Sequence, residues 1–288
     1  MQKVPTFALL VAAVLLPLLL PAQAAAPNAL LRLVQTERSF ARRATAVGWR
    51  DAFLEFFADD AIALVPEPAP AKDRLRKQPS RPFSVFELEW EPRTGEIAAS
   101  GELGWLTGPS TSLDRSAANP KPGYGNYLSI WRRQPDGQWR VFIDIGATIP
   151  EPAAFAPGFN RFSFERAYSG KAGHAESLGA LLAADRELNG RLPSGVAQAY
   201  GEMLAPAARL HRMGQSPAVG REAAMTWLAA HAPSMPAITG NGDAAESGDL
   251  GYSYGTYTAA AGAKPGPYLR VWQRTAAGRW LIVADVER

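Results

Sequence analysis

Residues 127–144 of this chain, YLSIWRRQPDGQWRVFID, align without a gap on residues 268–285, YLRVWQRTAAGRWLIVAD, and seven of the eighteen positions are identical. Unrelated segments of that length would share about one. A second pair of blocks precedes them: GELGWLTG at 101–108 and GDLGYSYG at 248–255. The copies are offset by 147 residues in the earlier block and by 141 in the later one. The first copy therefore carries six extra residues within 109–126. A chain with this pattern has to build the same set of strands twice.

Each copy reads as a meander of short strands. Trp131 and Trp272 lie in runs rich in aromatic and β-branched residues, the composition of a strand. Asp136-Gly137 and Ala277-Gly278 supply the glycine that a tight hairpin needs where φ is positive. The strands that follow, through Val141-Phe142-Ile143 and Leu281-Ile282-Val283, are apolar at consecutive positions, which predicts burial on both faces.

The 288 residues suggest two domains. A net charge of +3, with basic residues scattered apart from the run Lys72 to Lys77, gives no extended basic surface, so no nucleic-acid partner is expected. Lys3, an apolar stretch over 7–20 and Ala22-Gln23-Ala24 form a signal peptide. The apolar run is short for a span and is broken by Pro17 and Pro21. The expectation is an exported protein, periplasmic or secreted, with no membrane span after cleavage behind Ala24 or Ala26. The chain has no cysteine, so packing alone must hold it.

Apolar spacing predicts helices over 29–45 and 49–58 and a strand at 62–65. Residues 66–82 read as a loop around a short helix. Strands follow near 85–90, 96–100, 103–107, 125–133 and 139–147. The second copy repeats the order, with helices at 175–189, 193–204 and 220–231 and a strand at 208–212. Between them, 151–173 is rich in proline and glycine yet holds Phe155, Phe159, Phe162, Phe164 and Tyr168. So many aromatics predict a segment packed across two domains. The boundaries expected are 1–26 signal peptide, 27–150 first domain, 151–174 connecting segment and 175–288 second domain.

Helices followed by a bent sheet, with the phrases G(D/E)LG(Y/W)xxG and YLxxWxRxxxGxWxxxxD, resemble the nuclear transport factor 2-like superfamily. The nearest likeness is to domain-of-unknown-function family 4440, related to SnoaL-like and ketosteroid-isomerase-like proteins. It covers about 29–149 and 175–288. It is more specific in the second, where Gly220-Arg221-Glu222-Ala223 fits the family's helix start; the first has KDRLRK near that place. The fold implied is α+β: two tandem cone-shaped domains, each with N-terminal helices packed on a strongly curved antiparallel sheet around a cavity. Dimerisation of single-domain members through the outer sheet face implies an intramolecular pseudo-dimer here, mostly monomeric in solution. The superfamily holds enzymes and plain binding modules alike, so fold does not settle function.

Two functional readings follow. In the first, Tyr252, Tyr254, Tyr268, Trp272 and Asp285 line a cavity in the second domain that binds a small apolar or amphipathic molecule. Trp105, Tyr127, Trp131 and Asp144 occupy equivalent places in the first. In the second reading the protein is an isomerase, dehydratase or hydrolase. Asp285, desolvated in an apolar strand, is then the general base, and Tyr252 or Tyr254 polarises an oxygen. Against both stands a structural role for Asp144 and Asp285, through turn hydrogen bonds or pairing with Arg133 and Arg274. His174, His211 and His231 are far apart and lack ligand spacing, so neither metal nor cofactor is expected. No phosphate-binding loop is present; Gly251-Tyr252-Ser253-Tyr254-Gly255 has G-x-S-x-G spacing but reads as a strand with no helix after it, and Ser253 has no evident base, so serine-nucleophile chemistry is not expected.

Overall fold

A computed structural model describes residues 26–162, 172–231, 237–258 and 264–288. Residues 1–25, nearly all of the segment expected to be a signal peptide (1–26), and Phe164 and Tyr168 of the connecting segment, lie outside them.

The first half opens with helices α1 (Ala26–Val47) and α2 (Trp49–Phe56), then β1 (Phe57–Ala63), β2 (Ala69–Pro70), α3 (Ala71–Arg76), β3 (Phe86–Trp90), β4 (Thr94–Ile97), β5 (Leu103–Asp114), β6 (Pro122–Arg133), β7 (Trp139–Ile149) and β8 (Asn160–Arg161). The second half has α4 (His174–Arg191), α5 (Val196–Met203), β9 (Leu204–Arg212), β10 (Ala218–Val219), α6 (Arg221–His231), β11 (Ala237–Ala244), β12 (Leu250–Tyr257), β13 (Gly266–Arg274) and β14 (Trp280–Glu287). The sheets run β2-β1-β7-β6-β5-β4-β8, with β3 added on β5, and β10-β9-β14-β13-β12-β11. The order is the same once β3 and β8, which only the first half has, are set aside. The matched sequence blocks fall on β5–β7 and β12–β14.

The resemblance implied wholly antiparallel sheets, but each sheet contains a parallel pair: β1 runs parallel to β7 and β9 parallel to β14. Both strands enter directly from a helix, α2 or α5, and sit beside a strand distant in sequence, so no hairpin dictates their direction. The second helix also ends two residues sooner than its apolar content suggests. Phe57 and Ala58 are buried in β1 instead of continuing α2. Residues 193–204 divide similarly into a 3-10 turn (Leu192–Ser194) and α5. Gly137 and Gly278 have φ of 83° and 79°, as their hairpins require.

Cross-strand pairing sorts the side chains. In the first half Ser129 lies opposite Leu106 and Asp144, and Tyr127 opposite Gly108 and Gly146. These residues share the concave face, toward α1. There Leu33, Val34 and Phe40 of α1 pack on Leu106, Trp131 and Val141. Leu128, Ile130, Ile143 and Ile145 occupy the convex face. They belong to one apolar core with Tyr252, Leu269 and Val271 of the second half. Phe142, the extra residue of a β7 bulge, meets Tyr252 with ring centroids 5.8 Å apart.

The halves also exchange reciprocal hydrogen bonds. Ser100 N–H donates to Ser247 Oγ (3.2 Å), and Ser247 N–H to Ser100 Oγ (3.1 Å). Ala99 N–H donates to the Asp249 carboxylate, and Glu246 N–H to Glu102 Oε1 (2.8 Å). The residues of each pair of bonds are related by the 147-residue offset of the repeated blocks. The acidic position of the G(D/E)LG phrase thus caps the turn of the opposite half. The connecting segment adds Phe162, buried edge-on to Trp105, and Phe155 beneath the Arg209 guanidinium. Among the described residues no helix is long and apolar enough to cross a membrane.

A protease site inserted between residues 163 and 171 tests this contact. After cleavage the two fragments should co-elute on a sizing column, with a light-scattering mass of one chain; separate elution is the contrary result.

Candidate functional site

The helix-facing side of the second sheet is built around Arg270. Its Nε–H donates to Asp285 Oδ2 (2.9 Å), and Nη1 donates to Asp185 Oδ1 (2.8 Å) and Asn189 Oδ1 (2.6 Å). Nη2 reaches Tyr200 Oη (3.0 Å). Asp185 and Asn189 stand four apart on α4 and so share one helix face. The Tyr268 and Thr239 hydroxyls donate to Asp185 Oδ2, each at 2.6 Å, and Ser253 donates to Oδ1 (2.8 Å). Arg212 holds the other Asp285 oxygen and pairs with Glu287. Burial opposes ionisation of Asp185, but Arg270 and the hydroxyl donors outweigh it and hold its pKa below the ordinary value. Arg270, Asp185, Asp285, Tyr268 and Trp272 have 0% exposure, so no cavity that water can enter touches them.

The first half has the same frame without the cation. Glu37 of α1 stands 148 residues before Asp185, Asp144 aligns with Asp285, and the place of Arg270 is taken by Ser129. The register agrees: Ser129 lies opposite Asp144 as Arg270 lies opposite Asp285. Glu37 is fully buried and accepts hydrogen bonds from Trp90 Nε1 (2.6 Å), Trp131 Nε1 (3.0 Å) and Ser129 Oγ (3.2 Å). These are weak compensation for lost hydration. Burial, then repulsion from Asp144, raises the Glu37 pKa to about 8 despite them. Asp144, partly exposed, is raised by burial to about 7, with Arg288 pulling the other way. The buried Tyr127 hydroxyl has no hydrogen-bond partner among the described residues. Burial, then the charges of Glu37 and Asp144, push its pKa well up.

A cavity of about 430 Å³ opens where this concave face continues outward. Gly146 and Gly125 in its wall are each two residues from Asp144 and Tyr127 on the same strand face, or about 7 Å along the strand. Ser110, Ser112 and Gly123 extend the wall, while Trp49, Phe86 and Leu88 close it from α2 and β3. The six extra residues explain the difference from the second half. They lengthen the β5–β6 hairpin to Asp114 and Pro122, and β3 pairs with that extension from Ser110 to Asp114. Glycines keep the floor low: a Cβ on Gly125 would lie 2.8 Å from Ser110 Oγ and 3.1 Å from the Ala147 carbonyl oxygen.

The five residues expected to form one pocket are not brought together. Tyr268, Trp272 and Asp285 face the helices. Tyr252 and Tyr254, paired with Val271 and Leu269, lie on the opposite face, toward the first half. Alternation within a strand does not fix the register between strands, and that register places Ser253 rather than the tyrosines beside Arg270. Trp105 likewise lies on the face away from Tyr127, Trp131 and Asp144. Asp285 is bonded to Arg270, Arg212 and Tyr200, not to Arg274, and has no oxygen left for a substrate proton. The equivalence of Asp144 and Asp285 is one of position and not of chemistry.

Glu37, Asp185, Tyr200 and Arg270 were missed. The signal was an arginine between two aromatics on one strand face, Tyr268-x-Arg270-x-Trp272, with serine at its counterpart. Of the histidines, His174 bonds Asp243 (2.7 Å) and His231 stacks on Trp227. His211 is buried with neither ring nitrogen bonded among the described residues, and burial lowers its pKa to about 3. Among the described residues no group of three or more His, Cys, Asp or Glu is placed to hold a metal ion.

No protein-family model and no curated protein matches the sequence. Solved structures do. One is an NTF2-like protein with a cystatin-like fold from Novosphingobium aromaticivorans, 14% identical, with a TM-score of 0.34, over 42% of this chain and 82% of its own. Another is a ketosteroid isomerase-like protein from Erwinia carotovora atroseptica, 13% identical, TM-score 0.31, over 44% of this chain and 96% of its own. A third is an NTF-2 like protein of unknown function from Shewanella oneidensis, 11% identical, TM-score 0.32, over 38% and 96%.

Two outcomes follow from the contrast between the halves. Arg270→Met strands two buried carboxylates and should cost about 3–5 kcal/mol in urea denaturation at pH 7. The loss should shrink at pH 5, where unpaired buried carboxyls take up protons. Glu37 acts in the opposite sense. Its folded pKa is raised, so the stability it contributes is full below its unfolded value of 4.5 and is lost as pH rises toward about 8. Glu37→Gln should flatten that decline, removing roughly 3 kcal/mol of pH dependence between pH 5 and 7.5. Parallel pH profiles for the two proteins would contradict it.

Proposed function

We propose that the protein binds a small, partly apolar organic molecule, and that the binding cavity is in the first half. The observation that carries this is the 430 Å³ cavity set against a concave face whose two carboxyls have no cation between them. Trp49, Phe86 and Leu88 supply apolar area, and the serine, threonine and backbone groups of the hairpin supply orientation. The second half, its concave face occupied by the Arg270 network, serves as a brace. In this reading the two halves are a duplicated cone fold of the nuclear transport factor 2-like kind. They form an intramolecular pseudo-dimer, which the reciprocal Ser100–Ser247 pair and the Ala99–Asp249 and Glu246–Glu102 hydrogen bonds favour. The N-terminal segment, with its short basic start, apolar run and small-x-small site, favours export to the periplasm or beyond.

A second reading is proton-transfer catalysis, with Asp144 in the part that sequence assigned to Asp285. Asp144 is partly exposed, with a pKa near 7, beside a Glu37 carboxyl that stays protonated at neutral pH. In that reading Asp144 takes and returns the proton, and burial raises its affinity for it.

A thermal-shift panel of small ketones, aromatic acids and sterol-like compounds tests binding. At least one class should raise Tm, and cavity-filling Ser110→Phe should remove the shift. Proton–deuterium exchange α to the carbonyl of any ketone that binds, followed by NMR, separates the readings. Catalysis requires exchange that falls about a hundredfold or more in Asp144→Asn; a binding module shows shift without exchange.

A further inference from the structure

We infer that the cavity of the first half recognises an organic anion, and that the cation for it, Arg288, comes from the second half. This rests on the reading that the cavity binds a small molecule. Among the residues lining the cavity Arg288 has the one charged side chain, and it is the one residue not from the first half. It follows β14, the strand that carries Asp285 and Glu287, and the meeting of the two halves brings it to the rim.

Its position is anchored through the main chain. Arg288 N–H donates to the Pro267 carbonyl (3.1 Å), and Gly266 lies so close to the Arg288 carbonyl that a Cβ there would be 2.3 Å from its oxygen. The side chain is exposed and makes no hydrogen bond or ion pair among the described residues. An arginine fixed at its backbone, free at its guanidinium and set at the edge of an apolar cavity suits a carboxylate or similar planar anion, which it can hold through two parallel N–H donors.

The interior decides which way round the ligand lies. Asp144 is deeper on the same face and repels an anion, so the anionic group stays at the rim and the apolar body goes inward, toward Trp49, Phe86 and Leu88. The ligand class is therefore a compact aromatic or alicyclic carboxylate. The second half is then part of the site, although its own concave face is filled.

The test is calorimetric titration of the intact protein at pH 7 with 2-naphthoate and with its neutral methyl ester. The acid should bind about tenfold or more tightly than the ester, the difference made by one charge-assisted contact. Arg288→Met should abolish that preference while leaving ester binding unchanged, Arg288→Lys should retain part of it, and Ser110→Phe should remove both ligands. Equal affinities of acid and ester, an unchanged preference in Arg288→Met, or acid binding that survives Ser110→Phe would overturn the inference while leaving a neutral-ligand cavity standing. Failure of both probes to bind the parent protein would overturn the cavity reading, and the inference with it.

Discussion

A single buried guanidinium, that of Arg270, separates the two halves of this molecule in their chemistry. It has no access to water and is satisfied by Asp185, Asp285, Asn189 and Tyr200. Burying so much charge is tolerable only where nearly every donor and acceptor is used, because a partly satisfied network leaves the desolvation cost uncompensated. The second half meets that condition by drawing partners from α4, α5, β9, β11, β12 and β14 onto one point. The result is rigid and dry. The same scaffold with Ser129 in that position keeps its two carboxyls as neutral-leaning acids and has no ion network filling the concave face.

The two halves therefore differ in what their concave faces hold. A cavity lined with glycine and serine, with carboxyls held near neutrality, contributes little cohesion and carries a penalty that grows with pH. The filled partner compensates. The convex faces merge into one apolar core, so the open half is braced along the whole of its sheet and not only by its own helices. The turns before β5 and β12 add reciprocal hydrogen bonds in which Glu102 and Asp249 each cap the opposite half. Joined in one chain, the halves meet at a high effective concentration, so even a modest contact stays formed.

Cavity and brace are linked by one local event, the lengthening of the β5–β6 hairpin. Six residues carry the strands beyond the point where their counterparts in the second half stop, and the added length recruits β3 as an extra strand. The extension supplies the wall that Trp49 and Phe86 close. The most variable part of the repeat thus builds the open site, whereas its best-matched part, YLxxWxRxxxGxWxxxxD, builds the shared frame.

Much of the frame was legible in the sequence. The repeat announced two equivalent meanders, the offset change located the longer hairpin, Gly137 and Gly278 marked the turns, and the aromatic content of 151–162 marked a packed segment. These are local or periodic properties, and the chain states them directly. The site was not legible in that way. Tyr252 and Tyr254 read as pocket residues because alternation within a strand says which residues share a face, but not whether that face meets the helices or the other sheet. Asp144 and Asp285 read as equivalents because the copies align, although Ser129 in one and Arg270 in the other give them opposite chemistry. Glu37, Asp185 and Arg288 come from helices or from the other half, 85 to 144 residues from Asp144 and Arg270, the groups they act upon. Electrostatics depends on distance in space. The sequence by itself determined two sheets, their helices and the position of the insertion; only the tertiary structure decided which concave face is filled by an ion network, which one borders a cavity and which carboxyls have raised pKa values.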